Sequence, residues 1–475
     1  MRNKKRQQMP GKQLLLFSEE IVSLRPHASG GGGTTPNREG ELNFLSLLSR
    51  NRALTATLLE EVMSPKNLNK AYKNVVRNKG ASGVDMMEVS ELRAWLSEHG
   101  KGLIGDVLSE RYTPSEILGI EIPKPNGGVR LLGIPTVVDR LVQQAIHQEL
   151  SLLYEPLFSE HSYGFRSGRS ALDAVQQSSR YISSGKEWVV DIDLKSFFDY
   201  INHDRLMQRL YKGVGDERLL RLIRKYLRSG MMIGGLEHQR ISGTPQGGPL
   251  SPLLSNIVLD ELDKELEKRG HDFVRYADDC NIYVKSERAG KRVLASITKF
   301  IEDKLKLKVN ESKSGVRRCE QVKFLGYTIM PDGKIRIADK SIERLKEKVK
   351  ELTRRNRGVK FSQVIDELNA IHRGWVNYFR LADCWLPFSR LDGWIRRRLR
   401  CYRLKQCGRK YTIFKFLRSL GAKTSEAWNA IMRGGNWWNL SAKKACQRTM
   451  NKSWFDQNGL HALESLHNRL KRFNC

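Results

Sequence analysis

Asp278 and Asp279 stand side by side in Val274-Arg275-Tyr276-Ala277-Asp278-Asp279-Cys280-Asn281-Ile282-Tyr283-Val284, where two β-rich runs flank the acids. The pattern predicts a hairpin with both carboxylates at its turn. Adjacent residues in a regular strand point to opposite faces, so only a turn lets both acids serve one site. Two like charges side by side are costly unless a cation neutralises them. An isolated Asp-Asp turn would read as simply solvated, but this one is not isolated. Upstream, Trp188-Val189-Val190-Asp191-Ile192-Asp193-Leu194-Lys195-Ser196-Phe197-Phe198-Asp199 reads as a β-branched strand interrupted by acids. Asp191 and Asp193 share one face of such a strand. A strand acid converging on a hairpin pair forms a donor set for two Mg²⁺ ions about 4 Å apart, the arrangement that in-line phosphoryl transfer needs. One ion activates a 3′-hydroxyl, and the other neutralises a triphosphate and its leaving pyrophosphate.

These acids need a scaffold, and the periodicities supply one. Apolar spacing over about 42–78 (Leu42, Phe44, Leu45, Leu48, then Leu68, Ala71, Val75) fits short amphipathic helices, followed by a glycine-punctuated loop at 78–85. Strands and helices alternate to about 330, as in an α/β or α+β body. Beyond 340 the pattern turns helical. Leu345, Val349 and Leu352 share one face, Ile365, Leu368, Ile371 and Trp375 another, and Trp394, Ile395 and Leu399 a third.

The 475 residues carry a net charge of +31, with 40% hydrophobic residues, which excludes global disorder and points to a polyanionic partner. The excess is uneven: residues 331–475 hold 33 Lys+Arg against 12 Asp+Glu, together with seven of the nine tryptophans. Cations interleaved with large aromatics suit a surface that neutralises phosphates and stacks on unpaired bases, while most of the tryptophans are expected in a helical core. No apolar run approaches the roughly 20 residues of a membrane helix. Seven scattered cysteines argue against a disulfide framework and for a reducing compartment, hence a cytoplasmic protein.

The acid-bearing segments sit within a longer ordered series. It begins with Arg77-Asn78-Lys79-Gly80-Ala81-Ser82-Gly83-Val84-Asp85, Ile122-Pro123-Lys124-Pro125-Asn126-Gly127-Gly128-Val129-Arg130 and Ile134-Pro135-Thr136-Val137-Val138-Asp139-Arg140. Tyr163-Gly164-Phe165-Arg166-Ser167-Gly168-Arg169 precedes the Asp193 strand, and Gly243-Thr244-Pro245-Gln246-Gly247-Gly248-Pro249-Leu250-Ser251-Pro252 precedes the Asp278 turn. Asn310-Glu311-Ser312-Lys313, Phe324-Leu325-Gly326-Tyr327 and the stretch 368–379 close it. From about residue 60 nearly to the C-terminus the chain resembles a group II intron-encoded reverse transcriptase/maturase, most like the endonuclease-lacking bacterial class C members. No paired cysteines of a His-Asn-His nuclease are found.

The resemblance implies an α+β right-hand polymerase, fingers and palm with an antiparallel palm sheet, followed by an all-helical thumb/maturase domain. It implies Asp193, Asp278 and Asp279 as the catalytic triad, with two Mg²⁺ (Mn²⁺ able to substitute) held by these acids and the Leu194 carbonyl. Phe198 falls where the family places its gate against a 2′-hydroxyl, so dNTPs are the expected substrates. Lys124 and Arg130 match cations that grip the triphosphate. Gln246 and Gly247 line the nucleotide pocket, and Lys313 approaches the incoming nucleotide or primer end. Arg166 and Arg169 are expected on the template backbone, and Arg373, Arg396, Arg397, Arg398 and Arg400 on RNA. Asp191 and Asp199 read as structural. Expected partners are structured intron RNA and an RNA template with a DNA or RNA primer, with no membrane and a place in the bacterial, nucleoid-associated cytoplasm.

The expected organisation is a flexible basic tail at 1–41, helices and loop at 42–85, and fingers and palm at 86–335. A helical thumb/maturase domain at 336–440 and a basic C-terminal segment at 441–475 follow. Two rival readings are a non-enzymatic RNA-binding maturase and a domesticated reverse transcriptase in defence or DNA repair. The intact acids and Phe198 speak against the first, and Ala277, the Gln246-Gly247 block and the maturase-like region against the second.

Overall fold

The structure is a computed structural model that describes residues 55–123, 128–239, 242–383 and 385–473. The expected tail, the first expected helices and Lys124 lie outside them. Among the described residues there are ten strands: β1 (Ile117–Pro123), β2 (Val129–Ile134), β3 (Trp188–Ile192), β4 (Met231–Ile233), β5 (Leu236–His238), β6 (Asp272–Tyr276), β7 (Asp279–Val284), β8 (Gly315–Arg318), β9 (Tyr327–Ile329) and β10 (Ile335–Ile337). They form a four-stranded sheet ordered β2–β1–β4–β5, a second ordered β6–β7–β3–β8, and the pair β10–β9. β1 runs antiparallel to β2, with Leu118 opposite Ile134, and parallel to β4, with Ile117 opposite Met231. The remaining regular structure of the described residues is helical, an α+β arrangement.

Two compact units divide the chain. The first takes the described residues up to Ser170 with Val190–Ile282 and Lys291–Gly315; the second takes Ala171–Val189, Tyr283–Gly290 and Val316–Cys475. The expected domains followed chain order, whereas these units interleave, because helix Ala171–Ser183 packs with the C-terminal elements. Ser179 Oγ donates to the Gly333 carbonyl at 2.7 Å, and Tyr283 OH to Ser178 Oγ at 2.7 Å.

The core of the first unit is legible locally. Helix Pro65–Asn78 starts where Ser64 accepts the Asn67 N–H, with Pro65 in the first turn where no intrahelical donor is needed. It buries Leu68, Ala71 and Val75 and packs on helix Val137–Tyr154, which buries Leu141, Val142 and Ala145. Each fully buried aliphatic side chain of Val or Leu size contributes about 1.5–3 kcal/mol. Buried Asn67 spans the seam, donating to the Val62 and Ala145 carbonyls at 2.9 and 3.0 Å. The 78–85 loop then lies on the start of the partner helix. A Cβ at Gly83 would come within 2.7 Å of Thr136 Cα, so only glycine permits that approach.

In the second unit, helices Phe361–Tyr378 and Trp385–Cys407 both pack on Leu463–Phe473. Asp392 accepts the Leu463 and Glu464 N–H groups at 2.9 and 3.0 Å, capping that last helix. The stretch expected as a separate basic segment is thus folded into the helical unit. The tryptophans differ from expectation too. Trp375, Trp394, Trp437, Trp438 and Trp454 are half-buried and Trp428 is exposed, so none of the described ones sits in the closed core. An indole is large and carries one donor, and a surface rich in Lys and Arg offers its face a cation partner.

Candidate active site

The site starts at a strained turn. Only Ala277 and Asp278 connect β6 to β7, which forces the two strands antiparallel, and Ala277 has φ +57°. A non-glycine residue in that region costs roughly 1–2 kcal/mol and needs outside support. Arg275 supplies it. Its fully buried guanidinium donates to both oxygens of Asp263 at 2.7 and 2.6 Å and to Asn256 Oδ1 at 2.9 Å. It also donates to Ser162 Oγ at 2.6 Å and to the Ala277 carbonyl at 2.9 Å. Asn256 in turn donates to the Gly164 carbonyl at 2.9 Å. A Cβ at Gly164 would lie 2.2 Å from the Ala277 nitrogen, so glycine lets this loop press against the turn. The hairpin expected from sequence is present, with Asp278 in the turn and Asp279 opening β7.

Asp193 follows the end of β3 and is tied to a segment more than a hundred residues further along. Its backbone N–H donates to Ser314 Oγ at 3.0 Å, and its carbonyl accepts the Asn310 N–H at 2.8 Å. Asn310 Nδ2 donates to Asp193 Oδ2 at 2.9 Å, and Lys313 Nζ stands 3.3 Å from the same oxygen. Leu194 bridges Val309 in antiparallel fashion, with the bonds made by Lys195 to Lys308 and Asn310 to Asp193. That is the non-hydrogen-bonded kind of pair, so the Leu194 carbonyl is turned away from Val309.

The acids feel one another. Burial raises the Asp279 carboxyl, and Asp278, Asp193 and Asp191 raise it further, to about 7 against the pull of Lys313. Burial likewise raises Asp278, with Asp193 adding to the rise and Arg130 and Lys313 opposing it. The expected triad therefore lies within electrostatic reach, and Asp191, read as structural, adds a fourth negative charge.

Among the described residues no three His, Cys, Asp or Glu side chains close tightly enough to cage a metal ion alone. Polymerase-type Mg²⁺ does not ask for such a cage; it takes one or two carboxylates with waters and substrate phosphates. A crowded set of hard oxygen donors fits that demand. The Asp193–Lys313 pair is its stand-in: the lysine side chain is 64% exposed, and such surface pairs are worth about 0–1 kcal/mol, so a divalent cation can displace it.

Of the expected nucleotide residues, the described ones (Arg130, Phe198, Gln246, Gly247 and Lys313) fall in the same unit. Phe198 lies on the short helix Phe197–Tyr200, and its carbonyl accepts the Thr244 N–H at 2.7 Å. The Gln246 carbonyl accepts the Gly133 N–H at 2.8 Å, and a Cβ at Gly247 would lie 2.3 Å from the Gly133 oxygen. This docks the Gln246-Gly247 loop on β2, the strand that carries exposed Arg130. Arg166 behaves otherwise. It is 8% exposed, with its guanidinium spent on Glu155 and on the Ser159 and Ser162 carbonyls, so its donors face inward and not toward a template. Arg169 donates to the Glu160 carbonyl and stacks over Tyr163 at 5.5 Å.

In the helical unit Arg373 is exposed and Arg396 half-exposed. Arg397 lies 3.9 Å over the Trp438 ring and donates to the Trp438 carbonyl at 3.2 Å. Arg398 donates to Thr353 Oγ1 and the Lys350 carbonyl, and Arg400 to the Met450 carbonyl. Part of this cluster therefore pins helix Trp385–Cys407 to its neighbours. The sequence reading passed over Arg275, Asn310 and Ser314, although each lies within or beside a quoted motif.

A carboxylate hairpin within electrostatic reach of a strand acid is the arrangement expected of a reverse transcriptase. Residues 122–329 match the family "Reverse transcriptase (RNA-dependent DNA polymerase)", and residues 342–421 match "Group II intron, maturase-specific domain". Protein YkfC of Escherichia coli (strain K12) is 31% identical over 314 residues, 58% of this chain and 82% of that one. Group II intron-encoded protein LtrA of Lactococcus lactis subsp. cremoris is 31% identical over 325 residues, 54% of each chain. The putative COX1/OXI3 intron 2 protein of Saccharomyces cerevisiae is 28% identical over 353 residues, 61% of this chain and 41% of that one. The match thus spans most of the first relative, about half of the second and less than half of the third. The chain belongs to the group II intron reverse transcriptase/maturase family.

Proposed function

We propose that this protein extends a DNA or RNA primer with dNTPs on an RNA template, and that it also grips its intron RNA to assist splicing and retromobility. The observation that carries the reading is the crowding of Asp193, Asp278 and Asp279, where burial and then mutual repulsion raise Asp279 to about 7 with Lys313 as their nearby cation. Reverse transcriptases use divalent metal ions; Asp193, Asp278, Asp279 and the Leu194 carbonyl would hold two Mg²⁺, or Mn²⁺ in their place. When bound, the metal supplies countercharge for the triphosphate and makes the primer hydroxyl a better nucleophile.

The remaining roles fall to the chain's own groups. Asn310 and Ser314 hold Asp193 in one orientation, and Arg275 holds the turn, so the carboxylates need no reorganisation when substrate arrives. Lys313, released from Asp193, can follow the negative charge of the incoming triphosphate. Arg130 and Lys124 grip that triphosphate from the fingers. The Phe198 ring walls off the space a 2′-hydroxyl would need, and the Gln246-Gly247 backbone floors the pocket. In the helical unit Arg373, Arg396 and neighbouring cations meet RNA phosphate. The place of action is the bacterial cytoplasm at nucleoid-associated nucleic acid, supported by the +31 charge and the bacterial relatives. Among the described residues no helix is long and apolar enough to cross a membrane.

The test is primer extension on an RNA template with dNTPs and Mg²⁺, run beside a splicing assay on the flanking genomic RNA. The wild-type protein should do both, and Asp278→Ala should lose only the first. Extension by that variant at wild-type rate would refute the acid assignment.

A further inference from the structure

A second concentration of charge, of the opposite sign, lies in the helical unit. Thr353, Arg354, Arg355, Asn356, Arg398, Lys405 and Trp437 line an open cavity of about 480 Å³, within the range of small-ligand sites. Four of these residues are cations and none is an acid. The nearby Glu351 is taken up by Lys348 at 2.8 Å. Arg398 is fixed by its bonds to Thr353 Oγ1 at 2.9 Å and the Lys350 carbonyl at 3.1 Å, which also cap the C-terminal end of helix Asp339–Leu352. Its pKa is held down by burial, with Arg355 adding to the fall and Cys401 opposing it. Lys405 Nζ stands 5.4 Å from the Trp437 ring centroid, and Trp437 is only half-buried.

We propose that this cavity receives one unpaired nucleotide of a structured RNA, with its phosphate on Arg354, Arg355 and Lys405 and its base against the Trp437 ring. Cations alone would suit any phosphate, including duplex backbone. A planar aromatic in the cavity wall adds a face that only an extruded base can use, since paired bases stay in their stack. Guanidinium groups add bidentate phosphate contacts and a flat stacking surface. The inference rests on the RNA-binding reading above and narrows it to one kind of RNA feature.

Binding is measured for a hairpin RNA with a single-nucleotide bulge and for the fully paired hairpin of the same length, across a salt series. Trp437→Ala should weaken the bulged RNA about tenfold and leave the paired RNA within twofold, and Trp437→Phe should restore it. Arg354→Ser/Arg355→Ser should weaken the bulged RNA and flatten its salt slope by about 0.7, as one lost single-strand phosphate contact requires. Photo-crosslinking a 4-thiouridine at the bulge should label the peptide that contains Trp437. Equal losses on both RNAs, or no loss on either, would overturn the nucleotide pocket while leaving RNA binding intact. A wild-type protein that binds neither hairpin would overturn both readings together, so the two failures are distinguishable.

Discussion

The two compact units handle like charge in opposite senses. In the first, Asp191, Asp193, Asp278 and Asp279 crowd together, and burial with mutual repulsion drives the Asp279 carboxyl up to about 7. In the second, arginines crowd, and burial with neighbouring cations pushes Arg398 and Arg400 down. A protein that merely needed to fold would interleave the signs, as the first unit does where Arg218 meets Glu60 and Asp216. Each one-signed cluster is instead an electrostatic demand that a ligand of opposite charge relieves. The acids call for divalent cations and the cations for phosphate. The supports differ as well. The acids are aimed by a fully buried, five-bond arginine, whereas the helical cations lean on backbone carbonyls and indole faces at the surface. The first arrangement is rigid enough for chemistry, and the second can adapt to an irregular polyanion.

The sharpest way to break this contrast is Asp278→Ala. Primer extension should fall by at least about a thousandfold, since the electrostatic core of the reaction is lost, while RNA affinity stays within a few-fold. Joint loss of both would mean the two clusters are not separable. Next comes Arg275→Met, which leaves Asp263 buried without its partner and should cost about 3–5 kcal/mol in urea unfolding. Adding Asp263→Leu should recover most of that stability without restoring wild-type extension, because the Ala277 carbonyl still lacks its donor. Recovery of full activity would reduce Arg275 to an ordinary ion pair.

Phe198→Ala tests the wall of the nucleotide pocket. Ribonucleotide incorporation should rise about tenfold relative to dNTPs, the scale of one added or removed steric contact. Unchanged selectivity would remove the gate. Arg396→Gln sharpens the cation side: RNA affinity should fall a few-fold and the salt slope should flatten by about 0.7–0.9, as one lost phosphate contact implies. The smallest effect belongs to Lys313→Ala. Folding stability should change by less than about 1 kcal/mol, because the lysine of the Asp193 pair is largely exposed.

Much of this was legible in the chain before any fold was known. The acids, their turn and the helical run beyond 340 announce themselves through residue type and period. So does the glycine-punctuated loop at 78–85. Fine assignments were less so. Arg130 and Arg166 look alike as basic residues in ordered motifs, yet one is exposed on a strand and the other is consumed by Glu155 and backbone carbonyls. The tryptophans, expected in a core, line surfaces where cations stack on them.

What the sequence determined by itself was the set of groups on offer: crowded carboxylates, an aromatic side chain at Phe198 and a cationic helical third. Only the tertiary structure decided which groups are left to perform it. Asn310 reaches Asp193 across 117 residues of chain, and Arg275 clamps a turn by bonds to Ser162, 113 residues away. Such pairings follow from which distant strands and helices pack together, and local propensity holds no record of that choice. A charged side chain becomes a tool or a strut according to the neighbours that packing brings to it.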